Sequence, residues 1–88
     1  MSFKVFLSKD IFKNISNERK NQIKDALFEL EDPLPGGNKK EIEGSKDYYR
    51  LRIGNFRAIY KVDFENKRVY VVEILTAEQA HKRYGHYI

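Results

Sequence analysis

The stretch YYRLRIGNFRAIYKV, residues 48–62, restricts the fold of this chain more than any other segment. Two runs rich in aromatic and branched residues flank Gly54-Asn55, and glycine in first place is what a two-residue type II′ hairpin loop requires. A loop of that kind fixes the pairing by counting. Ile53 falls opposite Phe56, Arg52 opposite Arg57, Leu51 opposite Ala58, Arg50 opposite Ile59 and Tyr48 opposite Lys61. Because side chains alternate across a strand, Tyr48, Arg50, Arg52, Arg57, Ile59 and Lys61 share one face. Tyr49, Leu51, Ile53, Phe56, Ala58, Tyr60 and Val62 share the other, which is the core face. Arg52 and Arg57 repel across the ladder by about 0.2–1 kcal/mol, and neither can lose its proton to relieve the clash. Two uses of such a face follow from residue type. One is a solvated strand surface whose charges discourage edge-to-edge pairing. The other is an anion site, since guanidinium groups present planar forks of donors that match phosphate oxygens and stay charged at any working pH.

The elements around the hairpin are read from periodicity. Phe3, Val5 and Leu7 alternate with Lys4, Phe6 and Ser8 as a short strand, and Ser8 or Asp10 can cap a short helix over residues 9–15. A second helix starts at Ser16 or Asn17. Ile23, Ala26, Leu27 and Leu30 recur at helical spacing toward the core until Pro33 stops the run. Residues 32–47, DPLPGGNKKEIEGSKD, hold both prolines and three of the five glycines and read as a long surface loop. After the hairpin, RVYVVEIL is a third strand-like run, joined by a turn around residues 64–67. Thr76 with Gln79 matches a capping box, predicting a short helix over residues 77–84 that ends at Gly85. The expected fold class is α+β: a small antiparallel sheet in the order β-α-α-β-β-β plus a short C-terminal helix or tail, with two N-terminal helices packed on one face. Residues 1–88 are expected to form one domain, since a chain of 88 residues buries only about 60–65% of its unfolded surface.

Composition removes several function classes. With no cysteine and two histidines, neither a disulfide framework nor a thiolate metal site is available, so no metal or other cofactor is expected. The N-terminus MSFKVFLSKD lacks the apolar run of a signal peptide, and no segment reaches the roughly 20 apolar residues of a membrane span. A cytoplasmic protein without membrane contact is expected. Lys and Arg total 17 against 13 acidic residues, a formal charge of +4 that favours anionic partners. The tail HKRYGHYI adds groups that titrate, stack on bases and bind phosphate: His81, Arg83, Tyr84, His86 and Tyr87.

Tyr49, Arg50, Leu51, Arg52, Gly54, Arg57 and Tyr60 resemble the central signature of the RelE/ParE toxin superfamily, approximately Tyr-Arg-Leu-Arg-x-Gly-x-x-Arg-x-x-Tyr. The resemblance spans nearly the whole chain, including the proline-rich loop. It implies the RelE-like microbial RNase fold and a toxin of a type II toxin–antitoxin system with a RelB-like antitoxin as partner in a hetero-oligomer. RelE-like members are metal-independent endoribonucleases that cut mRNA in the ribosomal A site and so inhibit translation. ParE-like members share the fold and poison DNA gyrase without a known ribonuclease site, and that reading stays open as the alternative. The tail also resembles the Arg-Tyr-His-Tyr ending of the YoeB branch, with Gly85 inserted.

Two departures shape the site reading. Arg50 and Arg52 stand where some RelE-type toxins have lysines, and arginine is no general base. Residues 76–79 are TAEQ, without the arginine expected just after the last strand, and Arg83 is the nearest substitute. Cutting RNA without metal requires a base for the 2′-OH, cations for the charge growing at phosphorus and an acid for the leaving 5′ oxygen. Arg57 is assigned to the scissile phosphate and Arg83 to a second clamp. His86, with an unperturbed pKa of about 6.5, is assigned to proton transfer, and Tyr87 to stacking or acid chemistry. Arg50, Arg52 and Lys61 are expected to hold RNA backbone; His81 and Glu41 are weaker candidates.

Overall fold

The hairpin forms in the counted register: Tyr48–Ile53 (β3) pairs antiparallel with Phe56–Asp63 (β4), joining Arg52 to Arg57 and Ile53 to Phe56. Gly54 has φ 55° while Asn55 is not left-handed, as a type II′ loop demands. The computed structural model describes residues 2–87; Met1 and Ile88, the last residue of the tail, lie outside them.

A five-stranded sheet surrounds this pair in the order β1-β5-β4-β3-β2, with β1 Lys4–Leu7, β2 Lys39–Glu41 and β5 Arg68–Thr76. All neighbours run antiparallel except β1, which lies parallel to β5 at one edge. The α+β class therefore holds, with a mostly antiparallel sheet. Helix α1, Asn17–Leu27, begins at Ser16, whose Oγ accepts from the Arg19 N–H, one of the donors that a helix start leaves unpaired. Its Ile23 and Leu27, with Leu30 from the 3₁₀ turn Phe28–Glu31, bury against Tyr49, Leu51, Ile53, Ala58, Tyr60, Val62, Val69 and Val71. Tyr60 is fully buried and its hydroxyl donates to the Pro33 carbonyl at 2.9 Å, so the ring fills the core without stranding a polar atom.

Three expectations are corrected. Residues 9–15 form turns rather than a helix, closed by Lys13 N–H to Asp10 C=O and Ile15 N–H to Phe12 C=O, each at 3.0 Å. Asp10 is left-handed, φ 61°, which stops helix propagation, and a seven-residue helix would in any case be marginal. Ile11, Phe12 and Ile15 reach the core from these turns. One α-helix, not two, therefore covers the core face. The segment 32–47 is not loop throughout, because β2 adds to the free edge of β3, Lys39 to Leu51, Lys40 to Arg50 and Glu41 to Tyr49. The paired backbone groups explain a strand that KKE does not advertise by hydropathy. Pro33 and Ile42 of the same segment are buried.

The third correction concerns the tail. The capping box forms as expected, Gln79 N–H to Thr76 Oγ1 and Thr76 N–H to Gln79 Oε1, and starts α2, Ala77–Arg83. Gly85 does not end it in a left-handed cap. The chain tightens into a 3₁₀ turn, Tyr84–Tyr87, that runs through Gly85. Such tightening is a usual way for a last helical turn to continue.

Candidate nucleic-acid interface

The face of the sheet opposite α1 carries the arginines. Cross-strand partners share a face, so β2 contributes Lys40 beside Arg50, a basic residue that sequence patterning could not place without β2. Helix α2 contacts β4 and β5, and Ile59 and Ala80 are both fully buried outside the main core cluster, on the side that α2 covers. This second small core seats the tail on the arginine face.

A β-bulge decides what meets it. In β5 Val69 and Val71 point into the core, and strict alternation would send Glu73 there as well. The pairing instead slips by one residue, Tyr60 to Val71 and Ile59 to Glu73, leaving Val72 without a partner. An extra residue reverses the alternation beyond it. Glu73 and Leu75 thus join Ile59 and Arg57 on the arginine face, and Ile74 returns to the core side.

Two side-chain clusters result. In the first, Glu73 receives Arg83 Nε at 3.3 Å on Oε2 and pairs through Oε1 with Arg83 Nη2 at 3.1 Å. The Tyr87 hydroxyl donates to Oε2 of the same carboxylate. Burial, then the bond to Glu73, pushes the Tyr87 phenol well above its ordinary range, with Arg83 opposing. The Tyr87 ring lies 4.7 Å from Tyr48, and Lys61 Nζ sits 5.8 Å from the Tyr48 centroid on the same face. In the second cluster Tyr84 shares a groove with Arg50: burial raises its phenol, and the charges of Arg50 and Arg57 pull it back. An open groove of about 530 Å³ runs beside it, lined by Arg50, Tyr84, Lys40, Glu41 and Pro35 among others.

Arg57 and Arg52 face each other across the ladder as counted. Part of the relief is internal, since Arg57 Nη1 donates to the carbonyls of Gly54 at 2.9 Å and Phe56 at 2.8 Å. Arg52 and His86 are exposed. His81, also exposed, meets Tyr84 edge-on at 6.5 Å. Of the residues singled out from sequence, Arg50, Arg52, Arg57, Lys61, Arg83 and Tyr87 are thereby gathered on one face, Arg52 beside the hairpin loop, while His86 stays exposed on the 3₁₀ turn. Glu73 was missed because period-two reading puts it in the core, and the one available signal was that a glutamate there would be a buried charge without a partner. Among the described residues no group of three or more His, Asp or Glu side chains could hold a metal ion, and no helix is long and apolar enough to cross a membrane.

A face rich in guanidinium groups, with phenol rings beside them, can bind phosphates and stack bases together. Residues 8–81 match the family model described as ParE toxin of type II toxin–antitoxin system, parDE. Among solved structures, the chain is similar to a mutant of the E. coli toxin RelE in the free state, with 25% identity over 99% of this chain and 95% of that one at a TM-score of 0.74. It is similar to an E. coli RelE mutant in complex with an antitoxin RelBc peptide, with 26% identity, coverage of 100% and 96%, and a TM-score of 0.69. The archaeal RelE–RelB complex from Pyrococcus horikoshii matches at 25% identity, coverage of 86% and 96%, and a TM-score of 0.67. No curated protein sequence matches the chain.

Proposed function

The chain belongs to the ParE toxin family of type II toxin–antitoxin systems, within the RelE/ParE superfamily, and from that premise we propose that it is an endoribonuclease toxin that cuts mRNA in the ribosomal A site. The observation that carries this reading is the docking of Arg83 and Tyr87 onto the face that already holds Arg50, Arg57 and Lys61. Charge stabilisation at phosphorus needs fixed cations around one point, and preorganised donors are the largest single contribution an enzyme makes to such a step. Arg57 and Arg83 are assigned to the scissile phosphate. Arg50, Arg52 and Lys61 hold flanking phosphates, Tyr87 stacks on a base or donates the leaving-group proton, and His86 transfers a proton. The attacking nucleophile is the RNA's own 2′-OH, so the chain needs no cofactor.

The partner is an antitoxin of RelB type, because the E. coli and Pyrococcus relatives are complexes of RelE with RelB or its peptide. Toxin and antitoxin form a hetero-oligomer in the cytoplasm, where the ribosome and mRNA are. A second reading, a ParE-like toxin that binds DNA gyrase and cuts nothing, is favoured by one observation: the family model that the chain matches is described as ParE toxin. Primer extension on mRNA in a translation extract separates the two. New 5′ ends that form only with ribosomes and wild-type toxin support the nuclease. Intact mRNA together with inhibited supercoiling by purified gyrase would establish the other reading.

A further inference from the structure

Glu73 is the carboxylate that the bulge at Val72 turns onto the arginine face, and it touches both tail residues assigned to the chemistry. We propose that Glu73 is a positioning residue for RNA cleavage, holding Arg83 and Tyr87 in register over the arginine face. This rests on the endoribonuclease reading.

The geometry favours positioning over proton abstraction. Three donors already occupy the carboxylate: Arg83 Nε and Tyr87 Oη on Oε2, and Arg83 Nη2 on Oε1. With both oxygens engaged by the tail, the carboxylate is not free to reach a substrate hydroxyl. Its side chain is 24% exposed, against 50% for that of Arg83, so the anchor is the more shielded partner and the guanidinium the outward one. Glu73 engages the Nε–Nη2 edge of Arg83. A guanidinium has five N–H donors, so two engaged nitrogens do not exhaust its capacity to bind a phosphate. The strand carries the anchor, α2 carries Arg83 and the 3₁₀ turn carries Tyr87, so one carboxylate ties two consecutive elements to the sheet. The arrangement also opposes affinity, because Glu73 places a negative charge among Arg50, Arg57, Lys61 and Arg83, where RNA phosphates would lie.

Positioning and affinity therefore move in opposite directions when Glu73 is changed. In the full chain, Glu73→Gln and Glu73→Val are compared with wild type for single-turnover cleavage of ribosome-bound mRNA and for binding of an uncleavable 2′-O-methyl oligoribonucleotide. Cleavage is expected to fall about 10-fold in Glu73→Gln and about 100-fold in Glu73→Val, the scale of a displacement of roughly 1 Å at a reacting centre. Oligoribonucleotide affinity is expected to hold or tighten. Unchanged cleavage, or equal losses of rate and affinity, would overturn the proposal. A second measurement needs no activity: the Arg83 Nε–H resonance in ¹⁵N NMR should exchange slowly in wild type and rapidly in Glu73→Val. Identical spectra would overturn the anchoring. If the wild-type protein cuts no RNA, the endoribonuclease reading fails by itself, and these spectra still decide whether Glu73 holds the tail.

Discussion

Arg57→Ala separates the function of the arginine face from its part in the fold. The side chain donates twice through Nη1, to Gly54 at 2.9 Å and Phe56 at 2.8 Å. Both acceptors are backbone carbonyls at the hairpin's end, open to replacement by water, so their loss costs no more than about 1 kcal/mol. Alanine also removes the repulsion with Arg52, returning about 0.2–1 kcal/mol. These contributions nearly cancel, and with about 4–8 °C of melting temperature per kcal/mol for a domain of this size, the expected shift is within a few degrees of zero. The catalytic loss is of another scale. Removing one preorganised donor from a developing charge costs about 10²–10³ in rate. Thermal unfolding by circular dichroism and primer extension on ribosome-bound mRNA measure the two quantities on one preparation. A folded variant that cuts at the parental rate would move the phosphate site away from Arg57. A melting temperature lowered by 10 °C or more would make Arg57 a structural arginine rather than a functional one.

Truncation after Gly85 removes His86 and Tyr87 with Ile88, and cleavage should fall by about 10²–10⁴; losing the Tyr48–Tyr87 contact should also lower stability by about 0.5–1.5 kcal/mol, read as a melting shift. Full activity in the truncated chain would send the search for the acid to Tyr84 or the ribosome. Tyr60→Phe leaves the Pro33 carbonyl without its buried donor and should cost about 1–3 kcal/mol in denaturant unfolding; a neutral result would mean that water reaches that carbonyl. Burial raises the Tyr60 phenol above its ordinary value near 10, so the folded chain keeps this proton more firmly than the unfolded one. That contribution is complete below pH 10 and is lost as pH rises further, a slope that Tyr60→Phe should flatten in unfolding curves at alkaline pH. Antitoxin binding should weaken as salt increases, because an acidic or amphipathic segment is expected to cover the basic face; calorimetry showing no salt dependence would place the inhibitory contact on apolar surface instead.

What the sequence by itself determined is what short-range chemistry can encode. Gly54 sets the turn, the turn sets the register, and the register sorts Arg50, Arg52, Arg57 and Lys61 to one side with no reference to the rest of the chain. Ser16 and the Thr76–Gln79 pair likewise mark helix starts through side-chain bonds to nearby N–H groups. The tertiary structure decided whatever depends on a partner distant in sequence. Lys39–Glu41 is extended because β3 has an edge to fill, and β1 pairs in parallel with β5, a strand distant in sequence, choices that a three- or four-residue strand cannot announce. Residues 9–15 give up helical bonds because Ile11, Phe12 and Ile15 find burial from a turn. The bulge at Val72 belongs to the same class, since a single unpaired residue is invisible to a periodicity count until the neighbouring strand fixes the slip. That slip carried Glu73 out of the core and under Arg83 and Tyr87, so the charges of the face could be read locally while their arrangement with the tail required the packed sheet.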